Sequence, residues 1–446
     1  MRQMVLVGFL QAQNCSNFAG SWRHPDSRLD FMSPEFYAHI AKVLEAGKFQ
    51  LAFFDDRLGM PEFHGGRFAE AIENGIRCVK MDPIACLMPM AMATSRMGLG
   101  ATYSVTYYQP FHVARMFQTL DHMTKGRAAW NVVTSMNDIE AQNMGQPGAP
   151  PHDDRYDRAD EFLEIVHGHW DTWADDALIV DRKTNRFADA SKVARVDYKG
   201  EHFSSRGPFT VPRTPQGNPV VIQAGQSGRG RQFAARWGEV IFTSNPNRED
   251  AAKNYAEMKA NAAKLGRNPD HLKTAHLCHP IVAETRAEAE DKCAFIETLP
   301  LEVDSLMLLS ENNNYDFGAK PIDEPFTQAE LDSMSGTQGG KDRVIKTLAG
   351  KRMPTPRDFI DITRRGKLPH PWVGTPKDVA DIMEEWFTTP ACDGFVIGAP
   401  CVPGSYEDVV RLLVPELQRR GLFHTDYAGT TLRENLGLPR PVVKRG

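Results

Sequence analysis

The 446-residue chain is 41% hydrophobic and 24% charged, a globular balance that excludes intrinsic disorder, collagen and a disulfide scaffold. Its 52 basic and 57 acidic residues give a formal net charge of −5, so there is no basic field to hold a nucleic-acid backbone or an anionic membrane. Seven cysteines stand far apart without a CxxC pair, which disfavours a zinc ribbon or redox dithiol and suits a reducing cytoplasm.

The first apolar run, Met4–Leu10, is β-rich and too short for a signal-peptide core. No stretch approaches the roughly 20 apolar residues of a membrane span. Ser33–Lys48 reads as a helix: Ser33 is a good N-cap, Phe36, Ile40, Val43 and Leu44 share a face, and Gly47 ends it. The spacing then predicts a strand at Gln50–Asp55, a helix at Pro83–Arg96, a strand at Met97–Val105, a helix at Pro110–Met123 and a strand at Arg127–Thr134. A helix at Arg158–Trp170, strand at Pro219–Gly225, helix at Gly230–Trp237 and strand at Glu239–Ser244 follow. The pattern closes with a helix at Arg248–Leu265, strand at Thr274–Ala283, helices at Arg286–Glu297 and Lys377–Phe387, strand at Asp393–Ala399 and helix at Tyr406–Arg419.

Strands apolar on both faces that alternate with helices indicate a parallel sheet, and eight such units favour a closed (β/α)8 TIM barrel over an open sheet. The expectation is one α/β domain over 1–446 with insertions at about 137–154, 174–216 and 310–371. The first two read as loops or small β excursions. The last is polar and irregular, and its place before the final βα unit makes it a candidate lid over the active site.

In QAGQSGRGRQFAARW (Gln223–Trp237), a strand runs through Gly225 into a small polar loop and a helix start. Exposed N–H groups there, with Ser227 and either Arg229 or Arg231, would bind an anion. The glycine spacing matches neither the dinucleotide nor the Walker pattern, so on local grounds an ordinary Gly-rich turn stands equal to an anion site. HDDRYDRADEF (His152–Phe162) places Tyr156 before a helix, where its donors could meet the same anion or simply form a solvated helix start. Asp56, Ser104, Thr106 and Asn131 are polar groups at or near strand ends. Each of them would also serve as a turn or cap residue.

No metal is expected. His276 and His279 point to opposite faces of a strand, and His167 and His169 do not share a helix face. Without GxSxG, a nucleophile-elbow hydrolase also loses support.

GSWRHP (Gly20–Pro25), LDHMTKGRAAWNVVTS (Leu120–Ser135), HDDRYDRADEFLE (His152–Glu164), RGPFTVPRTPQGNPVVIQAGQSGRGRQFAA (Arg206–Ala235), VGTPKDVAD (Val373–Asp381) and VPELQRRGLFHTDYAGTTLRENLGL (Val414–Leu438) together resemble one group over nearly the whole chain. It is the bacterial-luciferase-like, two-component flavin monooxygenases, which include the nitrilotriacetate, EDTA, dibenzothiophene-sulfone and long-chain alkane enzymes. The resemblance implies a TIM barrel that takes reduced FMN (FMNH2) from a separate NAD(P)H:flavin reductase, uses O2 through a peroxyflavin, and forms a homodimer or homotetramer.

Carried over by motif, the flavin ring would contact Asp56, Ser104 or Thr106, and Asn131. The phosphate would contact Tyr156, Ala224, Gly225 and Ser227. Relatives often carry histidines where this chain has Cys15, Ser16, Asn17, Phe18 and Met136, so His24 is the nearest titratable candidate for catalysis. An apolar lining from Phe9, Phe18, Phe54 and Phe242 would suit an aromatic, organosulfur, amine or alkyl substrate. The scarcity of basic residues at the strand ends argues against a polycarboxylate. A deazaflavin- or NAD(P)H-dependent dehydrogenase, or a non-catalytic flavin-binding protein, could use the same barrel.

Overall fold

The computed structural model describes residues 2–225, 227–369 and 371–443. All eight expected barrel strands are present: β1 Val5–Gln11, β2 Leu51–Asp55, β3 Gly98–Ser104, β4 Ala128–Val133, β5 Val220–Gln223, β6 Val240–Thr243, β7 Lys273–Val282 and β8 Gly394–Gly398. Every neighbouring pair is parallel. β1 pairs with both β2 and β8, and β6 pairs with β7, so the sheet closes on itself. A short strand, Pro371–Gly374, adds to the far end of β7 outside the ring.

The alternation of side chains along each strand separates two cores. Val5, Val7, Leu51, Phe53, Ala129, Val220, Ile222, Val240, Phe242, Ala275 and Val396 pack together inside the barrel. Their neighbours in sequence, such as Leu6, Phe54, Trp130 and Phe395, pack outward against the helices. Leu432, Leu436 and Leu438 of the C-terminal segment join the inner core and plug the amino-terminal end of the barrel. Gly98 permits that plug: a Cβ there would stand 2.5 Å from Leu432 Cδ1.

Helix limits follow the caps. Pro34–Ala46 starts on Ser33, whose Oγ accepts from Phe36 N at 3.2 Å, and is capped by Gly47. Some limits differ from expectation: the helix at Pro83 ends at Ala93, and that before Trp237 starts at Gly228. The helix read from Arg158 begins at His152, because Pro151 supplies a helix-compatible start and Asp153 and Asp154 suit the N-terminal dipole. Asn137–Asp154 therefore holds the helix Asp138–Asn143 and a helical first turn, more than a loop. The last helix, Gly404–Arg419, carries a π-helical turn at Val409–Leu413. Ala174–Gln216 carries two small antiparallel hairpins, Leu178–Asp181 with Arg186–Ala188 and Tyr198–Lys199 with Ser204–Ser205.

The segment read as irregular, 310–371, is mostly helical. Glu302–Asn313, Gln328–Ser333, Gln338–Leu348 and Pro356–Thr363 are helices. Leu309, Phe317, Phe326, Leu331, Met334, Val344, Phe359 and Ile360 give them an apolar core of their own. Glu302–Asn313 also sends Met307 and Leu308 against Phe63, Ala71 and Ile76 on the barrel side. A helix buried on two sides has no single apolar stripe, so no helical period stands out in its sequence.

Candidate functional site

The carboxyl ends of the strands open onto a cavity of about 180 Å³ lined by Asp55–Arg57, Val132–Asn137, Glu140, Tyr156 and Gln223–Gly225. β2, β4, β5 and the helix His152–Trp170 bring these residues together. Asp56, Tyr156, Ala224 and Gly225 thus share one surface. Burial pushes the Asp56 carboxyl up to about 7, with Asp55 adding to the rise and Lys80 opposing it.

Beneath this surface the inner faces of β3 and β4 carry Thr102, Ser104 and Asn131. Asn131 is 4% exposed. Its Nδ2 donates to Thr102 Oγ1 at 2.9 Å, and its Oδ1 has no hydrogen-bond partner. Ser104 Oγ accepts from Ser135 Oγ at 3.0 Å and from Thr106 N at 3.2 Å. Thr106 Oγ1 is buried without a partner. Of the two alternatives after β3, Ser104 is engaged in the turn and Thr106 has an atom to spare.

At the other end, the helix Gly228–Trp237 starts on Ser227, whose Oγ accepts from Gly230 N at 3.0 Å and lies 3.2 Å from His152 Nε2. Gln226 lies outside the described residues. The backbone here is close-packed under Tyr156: a Cβ at Gly225 would stand 2.5 Å from Gln223 Nε2 and 2.9 Å from the Tyr156 hydroxyl, and one at Gly230 would stand 2.7 Å from that hydroxyl. Only glycine leaves the helix start and the tyrosine this near to one another.

The arginines expected to add charge there are committed elsewhere. Arg229 donates to Asp157 at 2.8 Å and Asp160 at 2.6 Å, and Arg231 pairs with Glu257 at 3.2 Å. Helix His152–Trp170 presents those aspartates, so Arg229 fastens two helices together.

Five further expected site residues are separated by the fold. Phe9 and Phe242 do meet, through Phe53, with ring centroids 5.8 and 4.8 Å apart. Phe54 has the opposite parity to Phe53 and faces outward, 5.7 Å from the Tyr37 ring. Phe18 packs with Ile281, Ile296 and Leu368, away from the other three. His24 lines a different cavity, with Lys292, Phe295, Cys401 and Asp408, which shares no lining residue with the one around Asp56. An acid–base part for His24 therefore has no geometric support.

The scarcity of basic residues at this end is also corrected by the structure. Arg57, Arg77, Lys80 and Arg365 converge on Glu311. Although burial raises the Glu311 carboxyl, these four cations outweigh it and hold the group down to about 2. Arg77 and Arg365 are distant in sequence from any strand end, so only the fold brings them here. Gln11 was missed as well: its Nε2 and Oε1 are both buried without partners. It follows Phe9 by two residues in β1, so strand parity could have placed it on the inner face.

His276 stacks near Trp372 and Trp386 while His279 Nε2 lies 3.0 Å from Asn17 Nδ2. Among the described residues no group of three or more His, Cys, Asp or Glu is placed to hold a metal. No helix among them is long and apolar enough to cross a membrane.

The family described as luciferase-like monooxygenase matches residues 14–391. Dibenzothiophene-sulfone monooxygenase from Rhodococcus erythropolis is 41% identical, the match covering 99% of this chain and 98% of the relative. Nitrilotriacetate monooxygenase component A from Aminobacter aminovorans is 38% identical, covering 95% and 94%. The solved structure of a riboflavin lyase, RcaE, with modified FMN and substrate riboflavin superposes with a TM-score of 0.89 at 32% identity, covering 99% of this chain and 98% of that one. With a parallel closed barrel and full-length relatives of this kind, the chain belongs to the luciferase-like monooxygenase family and is an oxidoreductase.

Proposed function

We propose that this chain is the oxygenase component of a two-component system: it takes FMNH2 from a separate NAD(P)H:flavin reductase and uses O2 to oxygenate a small organic substrate. The observation that carries this reading is the pair of orphaned, buried polar atoms, Asn131 Oδ1 and Thr106 Oγ1, at the strand ends near a glycine cradle at a helix N-terminus. A flat heterocycle with a polar edge and a phosphate tail matches that chemistry at both ends. FMN is such a group, and in the reduced form it supplies the electrons that activate O2.

In this reading Asn131, Thr106 and Asp56 orient the polar edge of the ring. Tyr156, Gly225, Ser227 and the first N–H groups of the helix Gly228–Trp237 hold the phosphate. Phe9, Phe53 and Phe242 form a dry apolar floor inside the barrel, and the helical insertion acts as a lid that excludes water from the reacting centre. The name of the nitrilotriacetate relative, a component A, supports the two-component arrangement, and the FMN named with RcaE supports the choice of flavin.

The test is product labelling under ¹⁸O2 with FMNH2 supplied by an added reductase. Label in the product and no turnover with NADH alone are expected. Turnover of NADH without reductase would overturn the two-component assignment. Unlabelled, oxidised product would point to a dehydrogenase on the same barrel.

A further inference from the structure

The charged cluster at the mouth is built differently from the ion pairs elsewhere in the molecule. Arg57 follows β2, Arg77 and Lys80 lie between β2 and the helix Pro83–Ala93, and Glu311 and Arg365 come from the insertion. Glu311 is 3% exposed, yet its Oε2 lies 3.7 Å from Arg57 Nη1 and 3.8 Å from Arg365 Nη2, beyond hydrogen-bond length. Glu311 Oε2, Arg57 Nη1, Arg77 Nε and Arg365 Nε are all buried without a hydrogen-bond partner. What the cations do hold is backbone or amide oxygen. Arg77 Nη2 donates to Asn17 O at 2.6 Å, Arg365 Nη2 to Asn312 Oδ1 at 3.1 Å, and Lys80 Nζ to Gly59 O.

A buried ion pair that serves only stability closes to hydrogen-bond distance, because only then does the attraction offset the desolvation of both charges. Arg433 and Glu239 do so at 2.6 Å and 3.0 Å. The mouth cluster does not: its four cations face Glu311, Glu140, Asp55 and Asp56, and Glu311 stays beyond hydrogen-bond length of its arginines. Arg57 lines the cavity with Asp56, Tyr156 and Gly225, which sets its buried unpaired donor beside the site where the flavin and substrate would meet. Arg365 lines a neighbouring cavity with Asn312 and Thr363 and meets Arg57 across Glu311.

We propose that Arg57 and Arg365, backed by Arg77 and Lys80, receive a carboxylate of the organic substrate, and that this chain therefore acts on organic acids. Guanidinium groups match a carboxylate in shape and charge, and Glu311 holds their place as an internal competitor. The proposal rests on the flavin reading of the neighbouring cavity and narrows its substrate class.

The test is calorimetric binding to the full-length protein, loaded with oxidised FMN, of thiodiacetate, phenylacetate and hexanoate, each against its neutral amide. An FMN titration is run first on the same protein. At least one acid is expected to bind about tenfold or more tighter than its amide, the effect of one charge-assisted contact. Arg57→Gln and Arg365→Gln should each remove that preference and Arg365→Lys should keep it, with FMN affinity within about twofold of the parent in both Arg365 variants. Glu311→Gln should tighten acid binding several-fold, because it removes the competitor. If the cluster were only a latch between insertion and barrel, the same change would weaken binding of acids and amides alike.

Equal affinity for acids and amides, or no binding of any acid, overturns the proposal, as does equal competition by acetate or inorganic phosphate, which would mark a generic anion site. Failure to bind FMN overturns the flavin reading instead, so the two outcomes are distinguishable.

Discussion

The two ends of the barrel treat buried charge in opposite ways. At the amino-terminal end Arg433, 3% exposed, grips both oxygens of Glu239 and reaches the carbonyls of Asn218 and Pro219. Arg127 donates to the carbonyls of Thr124, Met97, Ala91 and Thr94. At the carboxyl end Gln11, Asn131, Thr106 and Thr243 keep buried atoms without partners, and Glu311 meets its arginines only at 3.7 and 3.8 Å. An unsatisfied buried group costs about 1–3 kcal/mol. Asp121, Thr214, Asn218 and Thr274 leave such atoms at the base too, so what separates the ends is that the buried charges close their pairs at the base and not at the mouth. The same fold stabilises itself at one end and keeps the other ready for a ligand.

The harshest way to break the comparison is at the base. Arg433→Met leaves Glu239 buried without its hydrogen-bonded cation, with only the more distant Arg267 facing it, and a loss of about 3–5 kcal/mol is expected in chemical denaturation. Burial raises the Glu239 carboxyl, but Arg433 outweighs it and holds the group below its usual value. That contribution is present above the unfolded carboxylate pKa and is lost as pH falls through the folded one. The variant should lose this part of the acid sensitivity. An unchanged denaturation midpoint would show that the base is not the stabilising end.

At the mouth the effect should shift from stability to binding. Gly225→Ala drives a Cβ toward Gln223, Tyr156 and the Gly230 backbone. FMN affinity, read by fluorescence titration, should fall at least tenfold, about 1.4 kcal/mol, while the denaturation midpoint moves far less than in Arg433→Met. Equal losses in the two assays would erase the distinction between the ends.

A smaller effect belongs to Asp56, raised to about 7 by burial and Asp55 against the pull of Lys80. Its raised pKa favours folding fully below the unfolded carboxylate value, and that contribution fades as pH rises through 7. Denaturation across pH 5–8 should therefore show a decline that Asp56→Asn, a mimic of the protonated acid, removes. A decline of the same size in both proteins would assign it to other groups.

The smallest effect is expected at His24, which lines another cavity. His24→Gln should leave FMN affinity and turnover within about twofold of the parent, and a larger loss of turnover would join the two cavities functionally.

The barrel strands were legible because each is a short apolar run of the right length between polar segments, and the helices because their caps are written locally. Helix starts in the insertion are written locally as well. Thr327 with Glu330, and Thr355 with Asp358, are reciprocal capping pairs in the structure, and both match the [ST]-x-x-[DE] pattern. Parity along β2 likewise separates Phe53, inward with Leu51, from the outward Phe54. The unpaired donors could not be read this way, because whether an arginine is satisfied depends on partners hundreds of residues distant.

The sequence by itself determined the parallel (β/α)8 ring, the glycine-rich turn that leads from the fifth strand into a helix and the strand-end positions of Asp56 and Asn131, since local spacing and strand parity dictate these. Only the tertiary structure decided which of those groups face one cavity. It also spent Arg229 and Arg231 on neighbouring helices and set His24 aside. Arg57, Arg77, Lys80, Arg365 and Glu311 come from four separate segments, and charges meet in the order that packing imposes, which no local pattern encodes.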